Sequence, residues 1–122
     1  VLFMDDEEAI RTIVEKILTK HGFDVYCAEE GVEAIEVYRK ANEFGNPFDV
    51  VLFDLDIRGG LGGKEAVSRL RDEFPRIKAI VTTGYCDDVV LENHMEYGFS
   101  GILRKPFRIE QLVSVVRRFA GD

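Results

Sequence analysis

Four apolar residues in succession, Val50-Val-Leu-Phe53, run directly into Asp54-Leu-Asp56. A strand with one solvated face alternates apolar and polar residues. An uninterrupted apolar run instead suits a strand covered on both faces, the central position of a parallel sheet with helices above and below. Asp54 then stands at the carboxyl end of that strand, the edge where open α/β sheets collect their chemistry. The glycine-rich segment Arg58-Gly-Gly-Leu-Gly-Gly63 follows and leads into a helical pattern. One acid at the rim of a hydrophobic strand is the candidate reactive group.

The remaining chain repeats this unit. Val1-Leu-Phe-Met4 is a second buried-strand run, closed by Asp5-Asp-Glu-Glu8. Ile10, Ile13, Val14, Ile17 and Leu18 then fall at helical spacing, and the helix is expected to stop at His21-Gly22, with glycine in the left-handed terminal position. Glu7 and Glu8 in its first turn complement the helix dipole. Asp24 to Ala28 reads as a strand, Ala34, Ile35, Tyr38 and Ala41 mark a helix face, and Phe44 to Phe48 breaks it with a glycine and Pro47. After the organising strand, a helix turns Ala66, Val67, Leu70 and Phe74 inward and closes at Pro75. Lys78 to Val81 is a fourth strand running into Thr82-Thr83-Gly84, followed by a helix capped by Asp87 or Asp88 and ending at Gly98. Gly101 to Arg104 is a fifth strand, broken by Lys105-Pro106, and Ile109, Leu112, Val113, Val116 and Phe119 mark the last helix.

Five such alternations predict an α/β fold, a five-stranded parallel sheet with right-handed crossovers, doubly wound in the flavodoxin-like order 2-1-3-4-5. In that order strands one, three, four and five are successive neighbours. Their carboxyl ends bring Asp5 and Asp6, Asp54, Thr83 and Lys105 to one rim.

Residues 1–122 are read as a single domain, since 122 residues suffice for one core and not for two. A formal net charge of -7 argues against a nucleic-acid surface, which needs clustered positive charge. No apolar run approaches the ~18 residues of a membrane span, and no charged-then-apolar leader is present. Cys27 and Cys86 have no metal-ligand spacing and read as reduced thiols, in keeping with a cytoplasmic setting. Val1 opens directly into strand-like sequence, as expected of a domain trimmed from a longer chain.

Three carboxylates brought together repel one another unless a cation joins them. A hard divalent ion with oxygen ligands answers that need, and Mg2+ typically takes one or two carboxylates, waters and a phosphate. Asp6 and Asp54 are assigned direct contacts, Asp5 a contact through water, and the backbone carbonyl of Asp56 the remaining protein ligand. Lys105 offers a positive charge and Thr83 a hydroxyl donor for the oxygens of a phosphoryl group in transfer, with Asp54 as nucleophile. Singly, a lysine before proline is an ordinary surface residue and a threonine at a strand end an ordinary turn residue. Their convergence on one rim carries the reading.

In this order and spacing, Asp5-Asp-Glu-Glu8, the apolar strand ending at Asp54, Thr83-Gly84 and Lys105-Pro-Phe107 resemble the receiver domain of two-component response regulators. The resemblance covers essentially the whole chain. It implies Mg2+-dependent transfer of a phosphoryl group from a histidine kinase or phosphotransfer domain onto Asp54, with Lys105 and Thr83 as phosphoryl contacts. It further implies an output domain or downstream protein as partner, no direct contact with nucleic acid or membrane, and no enzymatic turnover beyond the domain's own phosphorylation and dephosphorylation. A cis Lys105-Pro106 peptide is permitted. The face of the fourth helix, fifth strand and last helix is where receivers present their state, and Arg104, Arg108, Arg117 and Arg118 give it basic character.

The chain departs from the family pattern at three places. Arg58 stands where a proline is usual, and the glycine run is longer, similar to receivers fused to hybrid sensor kinases. Ile102 replaces the aromatic residue often found three positions before the lysine. Asp56 adds a carboxylate two residues past the nucleophile, expected to hinder anionic donors, to orient a water, or to matter by its backbone alone. Asp54-Leu-Asp56 also resembles the D-x-D pair of haloacid-dehalogenase phosphatases. In that family the pair ends the first strand, whereas here Asp5-Asp6 open the chain. A non-phosphorylated interaction module of the same fold is the other alternative.

Overall fold

The computed structural model describes residues 1–84 and 92–120. These form β1 (Leu2–Met4), α1 (Glu8–Lys20), β2 (Tyr26–Ala28), α2 (Gly31–Glu43), β3 (Val51–Asp54), α3 (Gly63–Glu73), β4 (Ala79–Thr83), β5 (Gly101–Arg104) and a last helix, α4 (Ile109–Ala120). The strands form one sheet in the order β2-β1-β3-β4-β5, and every pairing is parallel. The expected order is therefore the observed one. The proposed helix caps Asp87 and Asp88, and Cys86, lie outside the described residues, which resume at Glu92 and turn through Gly98 at a φ of 95°.

The apolar runs separate into two cores by the period of two that a strand imposes. Leu2, Met4, Val51, Phe53, Ala79 and Val81 face α2 and α3, where they meet Ala34, Ile35, Tyr38, Ala66, Val67 and Leu70. Phe3, Val50, Leu52 and Ile80 point to the opposite face and pack with Val14 and Leu18 of α1 and Leu112, Val113 and Val116 of α4. β3 is buried along its whole length, as a strand with helices on both sides must be.

Two expectations from helical spacing are corrected. Ile13 and Ile109, placed on inward faces, are 56% and 52% exposed. Ile109 is the first residue of α4, ahead of its buried positions Leu112, Val113 and Val116, and Ile13 borders an open apolar groove with Ile10, Pro106 and Phe107. α1 ends as expected, with Gly22 at a φ of 91° just past His21. No helix among the described residues is long and apolar enough to cross a membrane.

Candidate phosphoryl-acceptor site

The register places the rim. Asp54 is the last residue of β3 and lies opposite Thr82 of β4, while Met4 pairs with Phe53, so that Asp5 leaves β1 beside Asp54. Thr83 pairs with Arg104, which brings Lys105 to the same edge. Between these ends lies an open cavity of ≈ 430 Å³ lined by Asp6, Glu7, Asp54, Asp56, Arg58, Gly84 and Lys105.

Asp54 is buried, and each of its oxygens is bound: Oδ1 accepts from the Asp56 backbone N–H at 2.9 Å and Oδ2 from Lys105 Nζ at 2.9 Å. Burial, reinforced by the neighbouring Asp5 charge and only partly offset by Lys105 and the Asp56 amide, pushes its carboxyl up to about 6.

The same ammonium reaches Asp5. Lys105 Nζ lies 2.6 Å from Asp5 Oδ2, and Asp5 is wholly buried, its other oxygen accepting from the Glu7 amide at 2.9 Å. Burial works against the Lys105 charge, but hydrogen bonds and attraction from Asp5 and Asp54 outweigh it, and its basicity is raised. The cation joining Asp5 to Asp54 here is thus a side chain, a role for Asp5 that the water-mediated assignment did not include. The Lys105-Pro106 peptide is cis.

Asp6 is half-buried and faces the cavity, where Oδ2 accepts from the Arg58 amide at 3.0 Å. Carboxylate oxygens of Asp5, Asp6 and Asp54 all lie within 4.8 Å of one another, a grouping compact enough for one small cation with oxygen ligands. The hard-oxygen donor set suits Mg2+ or Ca2+ rather than a thiolate- or imidazole-seeking metal.

Asp56, singled out as an extra acid, has a specific partner. Its Oδ2 accepts from Thr83 Oγ1 at 2.7 Å and from the Gly84 backbone N–H at 3.0 Å. Thr83 therefore reaches the rim as expected, but with its hydroxyl engaged by a carboxylate of this chain.

Two supports escaped the sequence reading. Glu30 accepts from the backbone N–H groups of Val32 and Glu33 at the start of α2, both at 2.9 Å, and from Leu61 at 3.2 Å, so one side chain caps a helix and ties down the glycine loop. Glutamate is not among the usual capping residues, and nothing in its spacing points thirty-one residues ahead to Leu61. Gly63 is the second. A Cβ there would come within 2.7 Å of the Asp54 carbonyl oxygen, so the start of α3 packs directly on the nucleophile's own backbone.

Of the four arginines expected on one face, Arg104 and Arg118 line a common groove between β5 and α4, with half-buried Ile102 beside them. Arg117 instead lies over the Phe23 ring at 6.0 Å from its centroid, and Arg108 does not border that groove.

Comparison with known proteins agrees with this geometry. The chain is 33% identical over 117 residues to sensor kinase CckA of Brucella abortus, covering 96% of this chain and 12% of that protein. It is 26% identical to sporulation initiation phosphotransferase F of Bacillus subtilis, covering 98% and 91% of the two chains. The chain thus spans about an eighth of the kinase but nearly all of the phosphotransferase. Among solved structures, chemotaxis protein CheY4 of Vibrio cholerae superposes with a TM-score of 0.85 at 28% identity, over 97% of this chain and 95% of that one. The receiver domain of a Pseudomonas aeruginosa sensor histidine kinase, whose structure has a magnesium ion coordinated in the active site cleft, superposes with a TM-score of 0.84 at 24% identity over 99% and 96%. A family model described as the response regulator receiver domain matches residues 1–117, and the chain belongs to that family.

Proposed function

We propose that this receiver takes a phosphoryl group from a phosphohistidine of a histidine kinase or phosphotransfer domain onto Asp54, in the cytoplasm, and thereby changes the surface it offers to an output domain or downstream protein. One observation carries the reading: Asp54 is buried at the end of the central strand, with the Lys105 ammonium at 2.9 Å and an open cavity beside it. A carboxylate oxygen of Asp54 attacks phosphorus, the phosphorus–nitrogen bond breaks, and the imidazole leaves with the bonding pair and takes up a proton.

Each neighbour has a part in that step. Lys105 offsets the charge on the transferring oxygens, and Asp5, bound to it at 2.6 Å, fixes the ammonium's position. Thr83 Oγ1 and the Gly84 amide are hydrogen-bond donors at the same rim. Asp6, Asp54 and the Asp56 backbone carbonyl are the groups that would hold Mg2+, with Asp5 behind them; the compact acid grouping supports this. The ion, when bound, supplies charge neutralisation and orientation for an incoming phosphoryl oxygen. Hydrolysis of the aspartyl phosphate returns the domain to its starting state, so its turnover is confined to its own side chain.

The likeness to a sensor kinase and to a phosphotransferase supports placement in a phosphorelay. The phosphatase alternative has less support, because Asp54-Leu-Asp56 ends the third strand and not the first. Intact-mass measurement after incubation with Mg2+ and acetyl phosphate tests the proposal. Wild type gains the mass of one phosphoryl group and Asp54→Asn gains none; equal gain in both, or gain in neither, removes Asp54 from the role.

A further inference from the structure

The carboxylate of Asp56 occupies two donors that converge on one oxygen, Thr83 Oγ1 at 2.7 Å and the Gly84 amide at 3.0 Å. Gly84 and Asp56 line the same cavity as Asp54 and Lys105. A phosphoryl group on Asp54 brings oxygens that need donors at this rim, and a neighbouring carboxylate competes with them twice over, by holding the donors and by its like charge. We propose that Asp56 is a specificity-determining residue of the transfer site, an internal anion seated on Thr83 and Gly84 that must swing away before those donors serve a phosphoryl group. This inference rests on the reading of Asp54 as acceptor.

The geometry permits the movement. The Asp56 backbone N–H is held by Asp54 Oδ1 at 2.9 Å, so the chain path at the rim stays fixed while the side chain rotates. Asp56 is half-buried and borders open volume into which its carboxylate turns. Displacement costs the hydrogen bonds to Thr83 and Gly84. A protein donor, which docks over a wide surface, brings binding energy to offset that cost, whereas a small phosphodonor brings little. Asp56 thus discriminates against small anionic donors and favours phosphohistidine carried on a protein.

The test is the initial rate of phosphorylation of the full chain by acetyl phosphate with Mg2+, in which Asp54 attacks phosphorus, the bond to the acetate oxygen breaks, and acetate leaves with the electron pair. Asp56→Ala raises the rate about tenfold, the effect of releasing a hydrogen bond to a charged acceptor. The same change made in a Thr83→Ala background gives about threefold or less, because one of the donors it would release is already gone. Asp56→Leu, which keeps the branched side-chain outline but carries no acceptor, replaces the alanine variant in the cycle should the latter fail to fold. An unchanged rate overturns the proposal, and so does an equal acceleration in both backgrounds, which is the signature of a charge effect that does not pass through Thr83. If wild type and every Asp56 variant refuse phosphoryl, the acceptor reading falls and this inference with it. If wild type accepts and the coupling is absent, only the role of Asp56 falls.

Discussion

Lys105 Nζ lies 2.9 Å from Asp54 Oδ2, although 51 residues separate them in the chain. The contact exists because β3, β4 and β5 are successive neighbours, so strand ends distant in sequence share one rim. With Asp5 at 2.6 Å from the same ammonium, the positive charge is common to two buried carboxylates.

Removing that charge leaves both acids buried without their cation. Lys105→Met is therefore expected to lower stability by about 3 kcal/mol in EDTA, the usual cost of breaking a buried pair from one side. Added Mg2+ restores part of the loss, so the rise in melting temperature on adding millimolar Mg2+ is larger in the variant than in wild type. Thermal melts of both proteins, with EDTA and with Mg2+, check this; equal Mg2+ shifts would mean that Lys105 and the metal do not serve the same carboxylates.

The Asp54 carboxyl, pushed by burial from 3.8 to about 6, gives a pH dependence of known sign. Because its folded value lies above its unfolded one, ionisation opposes folding: the penalty is absent below about pH 4, grows between pH 4 and 6, and is full above 6. About two units correspond to about 3 kcal/mol at most. Asp54→Asn is thus expected to be more stable than wild type at pH 7 in EDTA, with the gap closing as pH falls toward 4. Denaturant melts at pH 4.5, 6 and 7.5 measure it, and a gap that widens on acidification contradicts the assignment.

Glu30 ties two segments together, accepting from Val32 and Glu33 on α2 and from Leu61 in the glycine loop. Burial pushes its carboxyl up, but the three amides together outweigh that effect and hold it below the usual range. Glu30→Ala loses a helix cap and is expected to cost about 1 kcal/mol. Unlike an ordinary cap deletion, it also frees the loop, so amide exchange at Leu61 and Gly62 speeds up. Exchange confined to α2 would show that the loop holds itself.

The fold was legible because its central strand is an uninterrupted apolar run, which suits a strand covered on both faces: Val50 to Phe53 are all buried, and the odd and even members serve opposite cores. The rim followed from strand order, since Asp5, Asp54, Thr83 and Lys105 each stand at or just past a strand's end. What a periodicity cannot show is which distant group a side chain selects. Asp56 could be recognised as an extra acid, yet its hold on Thr83 depends on a separation of 27 residues closed by the β3–β4 register. Ile13 satisfied the helical spacing and still faces outward, because the apolar stripe of α1 is wider than the surface it covers.

Thr82 pairs with Asp54 in the β3–β4 register and is completely buried, and its Oγ1 has no hydrogen-bond partner among the described residues. A buried hydroxyl without a partner loses its bonds to water and gains none in return. Valine matches threonine closely in outline and lacks the oxygen, so at this position the exchange removes a cost without opening a cavity. Thr82→Val is expected to raise stability by about 1 kcal/mol, because the site offers the hydroxyl nothing to lose. The gain is independent of Mg2+, since the side chain is not among the carboxylates grouped at the rim. Urea titrations with EDTA and with Mg2+ decide it: a variant less stable than wild type would reveal a partner for Oγ1, and a gain that vanishes with Mg2+ would tie Thr82 to the acid cluster beside it.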